Sequence, residues 1–302
     1  MSKITIATAP CSWGVWYADG TPSGVPSEVF LDQASAAGYK ALELGPDGYL
    51  PSDPEELKEA LDSRGLFVAA GTACWAFDQF DSFDGANGFI ENLDALCSRI
   101  KQFDGSYLVA MDESDVGLYS EKKSGYNPQI WNRYLNMFQA LSDFTQAEYD
   151  IKTVYHPHIK SLIETTEEIE RLLEYTDLDL CFDTGHHAYV NGNGQKGDPS
   201  VSAFLRKYAD RIPYLHLKQV DGQIYKKVMD EHIDSDTAFD IGVMCDLPDG
   251  IIDFVDVKKT LDEIDFEGIA VVESDMAGEA LHRAFDSAKR NIAYLQEGKW
   301  DK

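Results

Sequence analysis

Eight times along the chain a short apolar run is followed by a longer stretch with helical spacing, and this alternation restricts the fold more than any other feature. The runs are Ile4–Ala9, Ala41–Leu44, Phe67–Thr72, Tyr107–Met111, Thr153–Tyr155, Leu180–Asp183, Ile212–Leu217 and Ile269–Glu273. Apolar residues recurring every three or four positions mark the buried face of a helix. Leu281, Phe285, Ala288, Ile292 and Leu295 do so after the last run, and Ile90, Leu93, Leu96, Ile100 and Phe103 after the third. Asp53-Pro54, Asn127-Pro128 and Asp198-Pro199 each set a side-chain acceptor before a proline suited to a first helical turn. Thr165 and Glu168 have the spacing of a capping box. Eight strand–helix units in 302 residues predict an α/β chain folded as a (β/α)8 TIM barrel, one domain over residues 1–302. The competing open, doubly wound sheet carries a glycine-rich turn after its first strand. Here that turn reads APCSWG, without GxGxxG.

Composition then removes whole classes of function. Asp plus Glu number 53 against 26 Lys plus Arg, a formal charge of −27, which opposes nucleic-acid backbones and anionic membranes. No run approaches the ~18 apolar residues of a membrane span. The start, MSKITIATAPCSW, lacks the apolar core of a signal peptide, so a cytoplasmic chain is expected. The cysteines Cys11, Cys74, Cys97, Cys181 and Cys245 are odd in number and widely spaced, which predicts free thiols rather than a disulfide frame or a thiolate zinc site.

A barrel of this kind places its chemistry at the C-terminal ends of its strands. Five of the seven histidines, His156, His158, His186, His187 and His216, fall just past the fifth, sixth and seventh runs, and none precedes residue 156. His156, Asp183, His216 and Glu273 come from four successive strand ends and converge in a closed barrel. Two imidazoles and two carboxylates form a mixed nitrogen–oxygen set suited to one divalent cation, Mn²⁺, Co²⁺, Mg²⁺ or Zn²⁺, with positions left for a substrate. Beside them, Glu273 is a candidate base as well as a ligand, and His158 or His186 a proton donor to an oxygen. Lys218 is a candidate for stabilising an enolate oxygen. Trp13 and Trp75 are candidate floors for a sugar face. Glu43 either binds substrate or buttresses a ligand. His187 reads as structural. Two long connections, Asp112–Asn127 and Gln219–Phe254, are candidate lids.

The segments APCSWG, GYKALELGPDGYLP, GTACW, YHPH, DTGHH, RIPYLHLK, GVMCDLPDGIIDF and AVVES together resemble, across nearly the whole chain, the xylose-isomerase-like barrel superfamily. Within it they most resemble the inosose dehydratase and inosose isomerase branch of myo-inositol breakdown. The resemblance implies one divalent cation at the strand ends and a small sugar or cyclitol substrate carrying a carbonyl. It also implies isomerase, epimerase or dehydratase chemistry begun by removal of the proton α to that carbonyl. Asp183, His216 and Glu273 match three of the family's four metal positions. At the fourth, His156-Pro157 stands where isomerases and epimerases commonly have Glu-Pro, which points away from a two-glutamate proton shuttle. The chain departs from the inosose branch in three places. It has Ile-Lys-Ser after His158, Gln219 where an acidic residue is usual, and LPDG in the candidate lid. Homo-oligomerisation stays open. Two other readings compete. An apurinic-endonuclease-like phosphodiesterase would need further histidines on the third and fourth strands. A catalytically inactive sugar-binding barrel would not need the intact Asp183, His216 and Glu273 set.

Overall fold

The computed structural model describes residues 3–117 and 127–300. Eight parallel strands close into a barrel: β1 (Lys3–Thr8), β2 (Ala41–Glu43), β3 (Phe67–Trp75), β4 (Tyr107–Asp112), β5 (Lys152–Tyr155), β6 (Asp179–Asp183), β7 (Tyr214–Leu217) and β10 (Glu267–Val272), with β10 pairing β7 on one side and β1 on the other. β8 (Gln219–Val220) and β9 (Met244–Cys245) form a separate antiparallel hairpin. Among the described residues there are eleven helices: α1 (Ser27–Ala37), α2 (Pro54–Asp62), α3 (Asn87–Gln102), α4 (Pro128–Tyr149), α5 (Thr166–Tyr175), α6 (Thr184–Asn191), α7 (Ser200–Lys207), α8 (Gly222–Glu231), α9 (Ser235–Asp240), α10 (Phe254–Glu263) and α11 (Ala284–Glu297). None is long and apolar enough to cross a membrane.

The expected starts hold. Asp53 and Asn127 cap α2 and α4, each ahead of a proline, and Thr165 with Glu168 closes a full capping box on α5. At Asp198-Pro199 the helix begins one residue later, at Ser200, whose N–H donates to Asp198. Leu281 lies in a 3₁₀ turn before α11 rather than on it.

Side chains alternate across each strand, so one set fills the barrel and the other packs outward on the helices. The inner set is small: Ala7, Ala9, Ala41, Ala69, Val109, Val154, Cys181, Tyr214 and Val271 pack as one cluster. The larger residues, such as Phe30, Leu57, Leu93, Phe138 and Leu172, form the outer core between strands and helices. Between Leu42 and Glu43 the β2–β3 register shifts by one residue. The extra residue is Ala69 on β3, while Glu43 follows the ordinary alternation from Ala41 and points inward at the rim.

One of the two long connections differs from the sequence expectation. Gln219–Phe254 is no loose loop but carries the β8–β9 hairpin with α8 and α9. Its return is held by Gln219, whose amide nitrogen donates to the Leu247 and Ile252 carbonyls (2.9 and 3.0 Å) while its oxygen accepts from the Val220 and Ile252 N–H groups (3.0 and 2.9 Å). Of Asp112–Asn127, residues 118–126 lie outside the described residues.

Candidate active site

The DTGH segment shows how local sequence builds the centre. Asp183 ends β6 and is also the N-cap of α6, where its Oδ1 accepts from the His186 N–H at 2.8 Å. That bond uses one carboxylate oxygen and places His186 in the first helical turn, while Oδ2 faces the Lys218 ammonium at 3.0 Å. The Thr184 hydroxyl donates to the Lys218 carbonyl (2.7 Å) and accepts the Lys218 N–H (2.9 Å), tying α6 to the end of β7. Gly185 is required because a Cβ there would stand 2.6 Å from Lys218 Cγ.

On β7 the period of two carries Tyr214, His216 and Lys218 inward. His216 Nε2–H donates to Glu43 Oε1 at 3.0 Å, and the Tyr214 hydroxyl donates to the same oxygen at 2.9 Å. Thr72 donates to the other oxygen. Glu43 is therefore a buttress beneath His216, not a group presented to a substrate. By holding Nε2–H it fixes the tautomer and turns Nδ1 toward Glu273 Oε2 (3.0 Å) and Asp183 Oδ2 (3.8 Å).

The donor atoms of His156, Asp183, His216 and Glu273 all lie within 4.8 Å of one another, and all four residues are buried. Among the described residues His156 Nδ1 has no hydrogen-bond partner, whereas Asp183 Oδ2 faces Lys218 Nζ and His216 Nδ1 faces Glu273 Oε2, each at 3.0 Å. Buried acceptors left facing one another are costly unless a positive charge lies among them. The Lys218 ammonium reaches only the two carboxylates, and a proton on His216 serves only its contact with Glu273, whereas a divalent cation would engage all four donors. The residues fit such an ion.

Lys218 lies beside this set, 1% exposed, with Nζ 3.0 Å from Asp183 Oδ2, 3.0 Å from Glu273 Oε2, 2.6 Å from Asp275 Oδ2 and 2.9 Å from His186 Nε2. Burial disfavours its charge, but Asp183, Asp275 and Glu273 outweigh burial and hold its pKa well above the usual lysine value. Burial likewise opposes ionisation of Glu273, yet His216 and Lys218 hold its carboxyl well below the ordinary range. Burial pushes Asp183 up, with Lys218 and His216 pulling the other way. The neighbouring imidazoles go the other way. Burial, with His216 for His156 and with Lys218 for His186, keeps both well below the usual histidine value. His158 is pushed down to about 4 by burial and by Lys218.

Residues 31–297 match the family described as xylose isomerase-like TIM barrels. The chain belongs to that family. It is also similar, at 29% identity over 98% of its own length and 97% of the other's, to the inosose dehydratase of Geobacillus thermodenitrificans (strain NG80-2). In fold it resembles the IolI protein crystallised with a bound zinc atom (TM-score 0.71, 16% identity, 97% of each chain). It also resembles a probable 3-DHS dehydratase, AsbF, of Bacillus anthracis (TM-score 0.68, 14% identity, 98% of this chain and 99% of that one).

Within this xylose isomerase-like barrel the structure gathers His156, His158, Asp183, His186, His216, Lys218 and Glu273 into one buried centre. It does not bring the two tryptophans there. Trp13 is fully buried against Phe30 with its indole N–H on Gln33. β3 runs on to Trp75, three residues past the expected end, and the alternation that turns Thr72 and Cys74 inward turns Trp75 outward against Phe89 (4.0 Å between ring centroids). His187 packs between Phe182 and Phe204, a structural position. Sequence reasoning gave no role to Asp275 or Tyr214. Continuing the period of two past Glu273, and back from His216, would have placed both on the inner face.

Proposed function

We propose that this chain is a divalent-cation-dependent enzyme that removes the proton α to a carbonyl of a sugar or cyclitol, and that its reaction is loss of water from a ketone of the inosose type. The observation that carries the reading is the convergence of four unsatisfied or anionic donors from β5, β6, β7 and β10 next to neutral imidazoles and one ammonium. The full-length similarity to a protein named inosose dehydratase supports the choice of substrate class.

A cation held by His156, Asp183, His216 and Glu273 would supply electrophilic polarisation of the substrate carbonyl. The chain's own groups divide the proton work. His158 Nδ1–H donates to the Ile159 carbonyl at 2.7 Å, so Nε2 carries the lone pair, and the ring is neutral at pH 7. This is the form that accepts a proton, and it takes the base role from Glu273, which is held ionised among His216 and Lys218. Lys218 has only donors, so His186 Nε2 accepts from it and Nδ1 carries the hydrogen. That Nδ1–H is buried without a partner and is the donor for the departing hydroxyl. In the elimination His158 Nε2 takes the α proton, the C–H pair becomes the new C=C bond and the β C–O bond breaks; the oxygen leaves as water with the Nδ1 proton of His186, while Lys218 Nζ passes a proton to His186 Nε2 so that the ring stays neutral. Lys218 stabilises negative charge on the carbonyl oxygen as it develops. α9 packs beside the centre, with Phe239 6.2 Å from the His186 ring and Asp236 paired to Lys160 at 2.9 Å.

The test is proton NMR in D₂O with a panel of inososes and keto-sugars plus Mn²⁺. Loss of a hydroxyl-bearing carbon signal together with deuterium uptake at the adjacent carbon is expected for an inosose. A cation-loaded protein that neither exchanges nor eliminates on any member of the panel overturns the proposal.

A further inference from the structure

We infer that the Lys218 ammonium is a built-in competitor for the cation position and that Asp275 is the dock to which it withdraws when a cation enters. The inference rests on the cation-dependent reading above and concerns how the site is filled. Lys218 Nζ contacts Asp183 Oδ2 and Glu273 Oε2 at 3.0 Å each, and both residues belong to the four-residue donor set. An ammonium and a divalent cation cannot share those oxygens, because two like charges would then be held a few ångströms apart in a buried pocket. The ammonium must therefore leave the inner pair before the cation can take it.

It has somewhere to go without leaving the fold. Its other partners, Asp275 Oδ2 at 2.6 Å and His186 Nε2 at 2.9 Å, lie outside the donor set. The lysine backbone is fixed by Thr184 and its stem rests against Gly185, so only the tip of the side chain is free to swing. Asp275 is itself held for this purpose. Its backbone is left-handed (φ 38°), unusual for a residue other than glycine, and the next N–H, from Met276, is bonded to the Cys11 carbonyl. Asp275 is thus a positioning residue that acts on the cation through Lys218. Without a cation the ammonium offsets the charge of Asp183 and Glu273. With one, the outer pair holds the ammonium where it still feeds His186.

The experiment is calorimetric titration of Mn²⁺ into the intact protein at about pH 8, where free carboxyl groups are ionised. The variants are Lys218→Met, Asp275→Asn and their combination, with circular dichroism to check folding. Lys218→Met is expected to bind Mn²⁺ about tenfold more tightly, because it removes the competing charge. Asp275→Asn is expected to weaken binding about tenfold when Lys218 is present and less than about threefold when it is not. Should Lys218→Met fail to fold, Lys218→Gln keeps hydrogen-bond donors on the carboxylates and repeats the measurement without the charge. Affinity that is unchanged or weaker on removing the lysine overturns the inference. So does an Asp275→Asn effect of equal size in both backgrounds, which would mean that the carboxylate acts on the cation directly. Absence of Mn²⁺ binding in every form overturns the cation reading itself, a result distinct from binding that ignores residue 218.

Discussion

Asp112 and Asp183 stand at the ends of β4 and β6, two strands apart on the same rim, and both are buried. Asp112 spends both oxygens on the fold. Oδ1 accepts from Ser114 and from the Phe77 N–H, and Oδ2 from the Leu162 N–H. Asp183 spends one oxygen on capping α6 and turns the other to the Lys218 ammonium at 3.0 Å rather than to the backbone. The contrast extends along the inner wall. Small apolar residues line the inner wall on both arcs, that of β1–β4 and that of β5, β6, β7 and β10, but His156, Asp183, His216 and Glu273 all stand at or next to the C-terminal ends of the second four strands. Burial of a carboxylate is common to both arcs. What sets the second apart is that its inward oxygens are held by a side-chain ammonium rather than by fixed backbone donors, and a cation can exchange with a side chain.

The largest expected effect breaks the pair apart. Asp183→Ala should lower Mn²⁺ affinity more than ~100-fold, since it deletes an anionic donor, while the protein still unfolds cooperatively. Asp112→Ala should leave affinity unchanged and cost about 3 kcal/mol of stability, because several backbone N–H groups lose a buried acceptor. If the two substitutions exchange these phenotypes, the division of the rim is wrong. A smaller effect comes from the one carboxylate on the quiet arc that reaches across the barrel. Glu43→Gln removes the charged acceptor from His216 Nε2–H and should cost roughly 10–100-fold in Mn²⁺ affinity, with little change in unfolding midpoint. The smallest concerns acid sensitivity behind the histidine arc. His187 is held neutral in the fold, burial pushing its pKa down to about 4, against about 6.5 in an unfolded chain. Above about pH 6.5 neither state binds the proton; as pH falls from there toward about 4, only the unfolded chain does. Stability is therefore lost on acidification, by about 2 kcal/mol at pH 5 from this residue alone. His187→Phe should remove that share, read as a smaller drop in urea midpoint between pH 7 and 5; an unchanged drop would locate the sensitivity elsewhere.

The barrel was legible because a parallel strand buried on both sides must be an apolar run, and eight such runs separated by helical spacing leave few arrangements. The clustering of His156, Asp183, His216 and Glu273 was legible for a related reason: residues at the ends of successive strands converge when the barrel closes. What was not legible depended on single-residue shifts. β3 extends to Trp75, and three added residues decide which face the indole takes. Glu43 could not be assigned between substrate and buttress for another reason: the side chains it holds, His216 and Tyr214, lie more than 170 residues away in the sequence. The segment after Lys218 read as a loop because β8 and β9 are two residues each, too short to show a period.

The saturated amide of Gln219 has a consequence for how this barrel can be altered. All of its bonding partners are backbone groups, at Val220, Leu247 and Ile252, so residue 219 and the course of the chain from 247 to 252 form one interchangeable module. A carboxylate at 219 could accept from the two N–H groups but would set its remaining lone pairs against the two carbonyls. Exchanging the covering segment with that of a relative bearing an acidic residue there therefore has to carry position 219 along with it. Transplanting the loop alone would produce a mouth that no longer closes in the same place.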